Sequence, residues 1–398
     1  MKSMPALAST RSASKSRQSW RCRPDAAFSA QPSHALPRAA AEGALASTAA
    51  RELCCCELSR RGFLIVTMPE AVVVATREVD QLMRKFFAQP NAQKNAFRTP
   101  QEGETVLSHP AYLTPSPGWC ELFEVRRSEC DPAYRFPPGC KRACLRLFDL
   151  LRELSLSWLA VLSHHLCGDE RWLPSLATKD TGPATLRVLH YDQVVDLGRE
   201  VGTLPLGTPA RRDAERRMMA GWPSHVDSSL VTLAPRASAS GLAVRDYATD
   251  KWLRVERQMS AREAVLFCGD PVAFASCHVF PAAMHRPDAL EMARQAPATR
   301  ISTPCFLYAD DGGILDASRT HAKLLEAAGQ SRQCLVRPSP EQLSVREFKL
   351  NLRNCRELWP WKREEYYSGR VICRDSDHFP GLKEEENNTM VYDDDHLT

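Results

Sequence analysis

The spacing of apolar residues shifts near Gly182-Pro183, from mainly helical before it to closer to alternation after it. Ala49–Arg61 has the pattern of an amphipathic helix, and Gly62-Phe63-Leu64-Ile65-Val66 reads as a short buried strand. Helical spacing resumes over Pro69–Phe87 and stops near Gln89-Pro90, because proline cannot continue a helix. Cys140–Leu166 predicts a second long helix closed by Cys167-Gly168. His164 and His165 fall in its last turn, where they suit the helix dipole.

Beyond Gly182-Pro183 the predicted elements are short. Leu186–Tyr191, Leu230–Leu233, Leu242–Tyr247, Trp252–Val255, Ala264–Cys268 and Ile301–Tyr308 are β-branched or aromatic runs broken by Gly, Pro and Asp. Many short strands with such punctuation predict a sandwich or jelly roll. Helical spacing returns at Ser318–Gly329, Pro340–Asn354 and Pro360–Tyr367. Arg211–Arg217 reads as a solvated helical face within a long connection.

The two ends have no core-forming pattern. Residues 1–48 are rich in Ser, Ala and Arg; Lys2, Arg11, Lys15, Arg17, Arg21 and Arg23 precede the first acidic residue, Asp25. That composition fits an organelle transit peptide and equally an extension without an address, so the expected compartment is cytoplasmic, or a plastid or mitochondrion. From Lys383 the tail is acidic and reads as loose. Asn387-Asn388-Thr389 is a glycosylation sequon that would suit a secreted protein, but in a tail of this composition chance occurrence is the simpler reading.

Composition narrows the function classes. A net charge of +4, with no basic stripe interleaved with aromatics, argues against a nucleic-acid partner. No apolar run reaches the length that crosses a bilayer. The fifteen cysteines are scattered; neither Cys54-Cys55-Cys56 nor the pair Cys140 and Cys144 matches a zinc framework. Free buried thiols in a reducing compartment are the simpler reading.

The chemistry concentrates in Ser224-His225-Val226-Asp227-Ser228. If this segment is a strand, His225 and Asp227 point to one face and can share a metal ion. Two histidines and one carboxylate form a facial triad that leaves positions open for oxygen and a co-substrate. Two residues could complete it, His278 and His285, and spacing alone leaves the choice open. Arg300 and Ser302 are likewise two apart on a predicted strand, where a guanidinium fork and a hydroxyl can hold a carboxylate.

In order along the chain, these segments form a series. It comprises Leu186-Arg187-Val188-Leu189-His190-Tyr191; His225-Val226-Asp227 with Leu230-Val231-Thr232-Leu233; Gly241-Leu242-Ala243-Val244; Trp252; Gly269-Asp270; His285-Arg286; and Arg300-Ile301-Ser302. The series resembles the isopenicillin-N-synthase-like branch of the 2-oxoglutarate/Fe(II) oxygenases. Upstream, Arg61-Gly62-Phe63, Phe86-Phe87-Ala88-Gln89-Pro90 and Lys94 are similar to that family's N-terminal region, so the resemblance covers about residues 50–310. It implies a mainly β protein with flanking helices around a double-stranded β-helix (jelly roll) core. The implied domains are an extension at 1–48, an N-terminal α/β region at 49–180, the β-helix at 181–310, a helical region at 311–382 and the tail at 383–398.

The resemblance further implies Fe(II) held by His225, Asp227 and His285, with His278 a pocket or core residue. It implies 2-oxoglutarate as co-substrate, its far carboxylate on Arg300, Ser302 and Tyr191. The implied reaction oxidises a small molecule with O2, by hydroxylation or desaturation, and releases succinate and CO2; the expected state is a monomer. Two alternatives stand beside it: an iron-dependent oxidase without 2-oxoglutarate, and a non-catalytic binding protein on the same barrel. Three departures from the family are visible. Leu189 stands where an asparagine is common, and the connections from Tyr191 to His225 and from His285 to Arg300 are long. The long connection from His285 to Arg300 predicts an extra loop around Asp288–Ala298, of the kind that shapes substrate access. Gly118–Phe123 falls where that region approaches substrate, but an ordinary turn explains it as well.

Overall fold

A computed structural model describes residues 38–40, 47–98, 112–116, 120–126, 135–177, 184–191, 203–212, 214, 224–295, 299–322, 324 and 342–349. The chain divides into two compact units, Met1–Ala35 and Leu36–Thr398, and every described residue lies in the second. The readings made for the transit-like residues before Arg38, the helix at Pro360–Tyr367 and the acidic tail lie outside the described residues.

The strands are β1 (Arg38–Ala40), β2 (Phe63–Thr67), β3 (Tyr112–Ser116), β4 (Cys120–Val125), β5 (Ala184–Tyr191), β6 (Val231–Pro235), β7 (Leu242–Asp246), β8 (Lys251–Arg254), β9 (Glu263–Cys268), β10 (His285–Pro287), β11 (Arg300–Ser302), β12 (Cys305–Leu307), β13 (Ile314–Asp316) and β14 (Gln342–Ser344). The helices are α1 (Thr48–Arg61), α2 (Glu70–Phe87), α3 (Asn91–Asn95), α4 (Lys141–Cys167), α5 (Trp172–Ser175), α6 (Asp270–Ala275) and α7 (Ala289–Arg294). A nine-stranded sheet runs β1-β2-β9-β6-β12-β5-β4-β3, with β11 paired to β5. A three-stranded sheet runs β10-β7-β8, and β13 pairs with β14. All pairings are antiparallel except β1 with β2.

Helix α4 backs the large sheet. Leu147, Phe148, Leu151, Leu154, Trp158, Leu159, Leu162 and Leu166 are buried along it, the spacing that puts them on one face. With α2, whose Val72, Val79, Met83 and Phe86 are buried, it covers one side of a single large core. A separate cluster of Phe63, Ile65, Val244, Val255, Val265 and Phe267 joins residues of the large sheet to the small one. Burial of such side chains contributes about 1.5–3 kcal/mol each relative to exposure.

Several expectations need correction. Ile301–Tyr308 is two strands, split at Thr303-Pro304. The proline has no N–H to give the ladder, and its carbonyl instead accepts from Arg187 N at 3.0 Å. Glu121–Phe123 belong to strand β4, not to a turn. The helix expected from Pro340 begins later, since Gln342–Ser344 form β14. The helix expected from Ser318 begins later: Ala317–Arg319 form a short 3-10 turn, Ala322 and Leu324 are helical, and the remainder up to Gly329 lies outside the described residues. The loop expected around Asp288 contains helix α7, tied down by Arg254 Nε to Asp288 at 2.8 Å and Arg257 Nη2 to Glu291 at 2.6 Å. Among the described residues all ten cysteines are free, as expected for unpaired thiols.

Candidate metal centre

The segment holding His225 is not a regular strand. His225 makes one isolated antiparallel bridge to His285, the first residue of β10. The bridge is closed on both sides, His225 N to His285 O at 3.0 Å and His285 N to His225 O at 2.9 Å. Directly opposed residues of an antiparallel pair project to the same face, so the two imidazoles lie together, with ring centroids 4.4 Å apart. The alternation expected for His225 and Asp227 is therefore replaced by a pair across the His225–His285 bridge, and Asp227 arrives from the loop that follows.

Backbone and side-chain contacts hold Asp227 in place. Its carbonyl accepts from Asp270 N at 2.9 Å, and its Oδ2 accepts from the Thr232 hydroxyl at 2.6 Å. Ser229 Oγ lies 2.9 Å from that hydroxyl. Gly269 packs so closely on this loop that a Cβ there would sit 2.5 Å from Asp227 O. The other carboxylate oxygen, Oδ1, is 3.8 Å from Nε2 of His225 and 3.8 Å from Nε2 of His285. Those separations are too long for hydrogen bonds.

The three donors lie within 4.8 Å of one another, the only such group of His, Cys, Asp or Glu among the described residues. His285 Nδ1 is 3.1 Å from Ala283 O; donating there fixes the tautomer and leaves Nε2 as the acceptor for a metal. Asp227 and His285 are buried, whereas the His225 side chain is 37% exposed, so the centre opens on that side. Two imidazoles and one hydrogen-bonded carboxylate are a donor set suited to Fe(II) and similar divalent ions. His278, the other histidine that spacing allowed, lies on the turn after α6 and is not in this group.

A cavity connects the triad to the second predicted constellation. Its lining includes His225, Asp227, His285, Tyr191, Arg300 and Ser302, with Leu189, Arg187 and Phe306. Pairing of β11 with β5 sets Arg300 opposite Tyr191 and Ser302 opposite Leu189. The Arg300 guanidinium lies 4.9 Å from the Tyr191 ring centroid, and Ser302 lines the same cavity. Burial pushes the Tyr191 phenol up, keeping it protonated. Arg286, beside His285 in sequence, turns to the other face and stacks on Trp252 at 4.2 Å.

Sequence reasoning missed three neighbours of the site. Thr232 orients Asp227, Glu256 pairs with Arg300, and Arg187 lines the cavity while bonding Glu124 at 2.7 Å. Thr232 and Arg187 lie inside the motif series, whereas nothing in the local pattern marked Glu256.

No family model and no curated protein matches the chain. Solved structures do. A full-length Neurospora crassa protein, solved in complex with alpha-KG and 5-formyluracil, is 18% identical with a TM-score of 0.59, covering 80% of this chain and 95% of that one. The dioxygenase for auxin oxidation in rice is also 18% identical, with a TM-score of 0.53 over 80% of this chain and 96% of that one. The chain has the fold of the 2-oxoglutarate/Fe(II) oxygenases. JOX2, solved in complex with 2OG, Fe and JA, shares this oxygenase fold at 18% identity and a TM-score of 0.54, over 80% and 85% of the two chains. Within the oxygenase fold of this chain, no described helix is long and apolar enough to cross a membrane.

Proposed function

We propose that the protein is an Fe(II)- and 2-oxoglutarate-dependent dioxygenase that hydroxylates or desaturates a small molecule, releasing succinate and CO2. The observation that carries this reading is the convergence of His225, Asp227 and His285 in a cavity whose lining also includes Arg300, Ser302 and Tyr191. In this reading the two facing sheets are the walls of a double-stranded β-helix, with the N-terminal helices packed outside it. The solved oxygenases of the same fold support it, since the Neurospora crassa protein was captured with alpha-KG and 5-formyluracil and JOX2 with 2OG, Fe and JA.

His225, Asp227 and His285 would hold the iron, which supplies oxygen activation when bound. The protein's part is orientation and exclusion of water. Thr232 fixes the carboxylate of Asp227, Asp270 N holds its backbone carbonyl, and Ala283 O fixes the His285 ring. Phe267 packs 4.7 Å from the His285 ring, and Phe306 and Leu189 add apolar surface beside the polar groups of the cavity. Arg300, Ser302 and Tyr191 would orient the far carboxylate of the co-substrate, directing its keto-acid end towards the triad.

Succinate release in the presence of Fe(II) and 2-oxoglutarate, screened across classes of small molecule, tests the reading. Release that depends on one class and disappears in His225→Ala is expected. Iron binding without succinate release from any class would overturn the assignment of 2-oxoglutarate.

A further inference from the structure

We propose that Glu256 sets which keto acid this site accepts, by cancelling the charge of Arg300 and occupying part of its donor fork. The proposal rests on the reading above, in which a keto acid lies with its far end towards Arg300. Glu256 sits in the 3-10 turn Val255–Gln258 that follows β8 and is 2% exposed. Its Oε1 accepts from Ala237 N at 3.1 Å, and its Oε2 from Gly241 N at 2.7 Å and Leu242 N at 2.8 Å. Both oxygens also receive Arg300 Nη2, at 3.1 and 3.2 Å. A carboxylate so tied to backbone cannot swing aside when a ligand enters.

Arg300 is equally confined. Its side chain crosses directly over Gly241, where a Cβ would come within 2.7 Å of Cδ and 2.8 Å of Nε, and its guanidinium faces the Tyr191 ring. An unencumbered guanidinium offers a carboxylate two parallel N–H donors and a full opposing charge. Here Nη2 is committed, and the pair as a whole is neutral. Arg300 retains some capacity, since Nε is buried without a hydrogen-bond partner. Leu189, 5% exposed, supplies apolar surface to the same cavity.

Bringing a second carboxylate to this pair removes it from water without meeting a net positive charge, which is costly. A keto acid with an apolar far end escapes that cost. The cavity should thus discriminate only weakly between 2-oxoglutarate and a keto acid such as 2-oxovalerate, which carries a methyl group in place of the far carboxylate.

Calorimetric titration of both compounds into the full-length, Mn(II)-loaded protein without oxygen tests this. The unaltered protein should bind the two within about tenfold of each other, and Glu256→Gln should raise affinity for 2-oxoglutarate by about tenfold or more while changing 2-oxovalerate by less than about threefold. A preference of about a thousandfold for 2-oxoglutarate in the unaltered protein would overturn the proposal, a result readable even if Glu256→Gln fails to fold. So would a Gln variant whose preference is unchanged or moves towards 2-oxovalerate, which would leave the oxygenase reading standing. Failure of the metal-loaded protein to bind either keto acid would overturn that reading, and this proposal with it.

Discussion

His225 and His285 are a directly opposed pair, joined through both of their backbone N–H groups, and each presents Nε2 to the same Asp227 oxygen at 3.8 Å. The proposed metal centre is thus built on one backbone bridge, and its two imidazoles differ mainly in burial. The His225 side chain is 37% exposed and that of His285 10%. Replacing either with alanine removes a donor and should abolish tight Mn(II) or Fe(II) binding. His285→Ala should also cost about 2 kcal/mol of stability, because it empties a buried site beside Phe267, whereas His225→Ala should cost less than about 1 kcal/mol. Metal titration and chemical denaturation of the two variants check this; equal destabilisation would contradict the burial argument.

Thr232 is not one of the three candidate donors, yet its hydroxyl donates to Asp227 Oδ2 at 2.6 Å and lies 2.9 Å from Ser229 Oγ. Thr232→Val keeps the shape and removes the donor. Metal affinity should fall by about ten- to a hundredfold, the usual effect of losing such a support. Unchanged affinity in a calorimetric titration would mean that the loop alone orients the carboxylate.

Much of this arrangement was legible in the chain, for identifiable reasons. The long helices α2 and α4 follow from apolar residues repeated at helical spacing, and β5, β6 and β9 from short β-branched and apolar runs between Gly, Pro and Asp. His225, Asp227 and His285 stood out because their order matched a known series, and the structure brings them together. The geometry that unites them was not legible. A bridge between residues sixty apart leaves no local periodicity, so His225 looked like one end of an ordinary strand. Strands β3 and β4 were missed because Pro115 and Glu121 interrupt the apolar pattern, and Glu121 is a polar residue turned onto its own buried partners. The pairing of Glu256 with Arg300 was hidden for a similar reason, since a charge looks solvated until its partner is found 44 residues away.

Gly269 lies between β9 and α6, where the backbone passes against the metal loop. A Cβ there would collide with Ser229 O and come 2.5 Å from Asp227 O, both backbone atoms that cannot rotate away. Gly269→Ala should cost about 1–3 kcal/mol and weaken metal binding, because the loop carrying Asp227 must shift. Gly312→Ala is the matched control: no atom lies within 4 Å of its Cβ position, and its effect should stay within about 0.5 kcal/mol. Thermal melts with and without Mn(II) separate the two effects, and a Gly269→Ala protein with unaltered melting would show that the close approach is tolerated.

Glu121 links the N-terminal region to the strand that carries Tyr191. Its Oε2 accepts from Lys94 Nζ and from the Tyr112 hydroxyl, each at 2.5 Å, and its Oε1 lies 3.0 Å from His190 Nδ1. The His190 ring in turn stacks on Phe87 at 4.9 Å. Burial alone would push the Glu121 carboxyl up, but hydrogen bonds from His190, Lys94 and Tyr112 outweigh it and hold the group below its ordinary value of 4.5. A carboxyl depressed in the folded state binds its proton more readily when unfolded. Its contribution is therefore complete above the unfolded value and is lost as pH falls through the folded one. Glu121→Gln should be less stable than the unaltered protein near neutral pH, and the gap should narrow as the solution is acidified below about 4.5. Denaturant titrations at a series of pH values measure that gap directly. A gap that stays constant down the acid limb would mean that Glu121 acts through shape alone, and that its charge has no part in fastening α3 and β3 to β5.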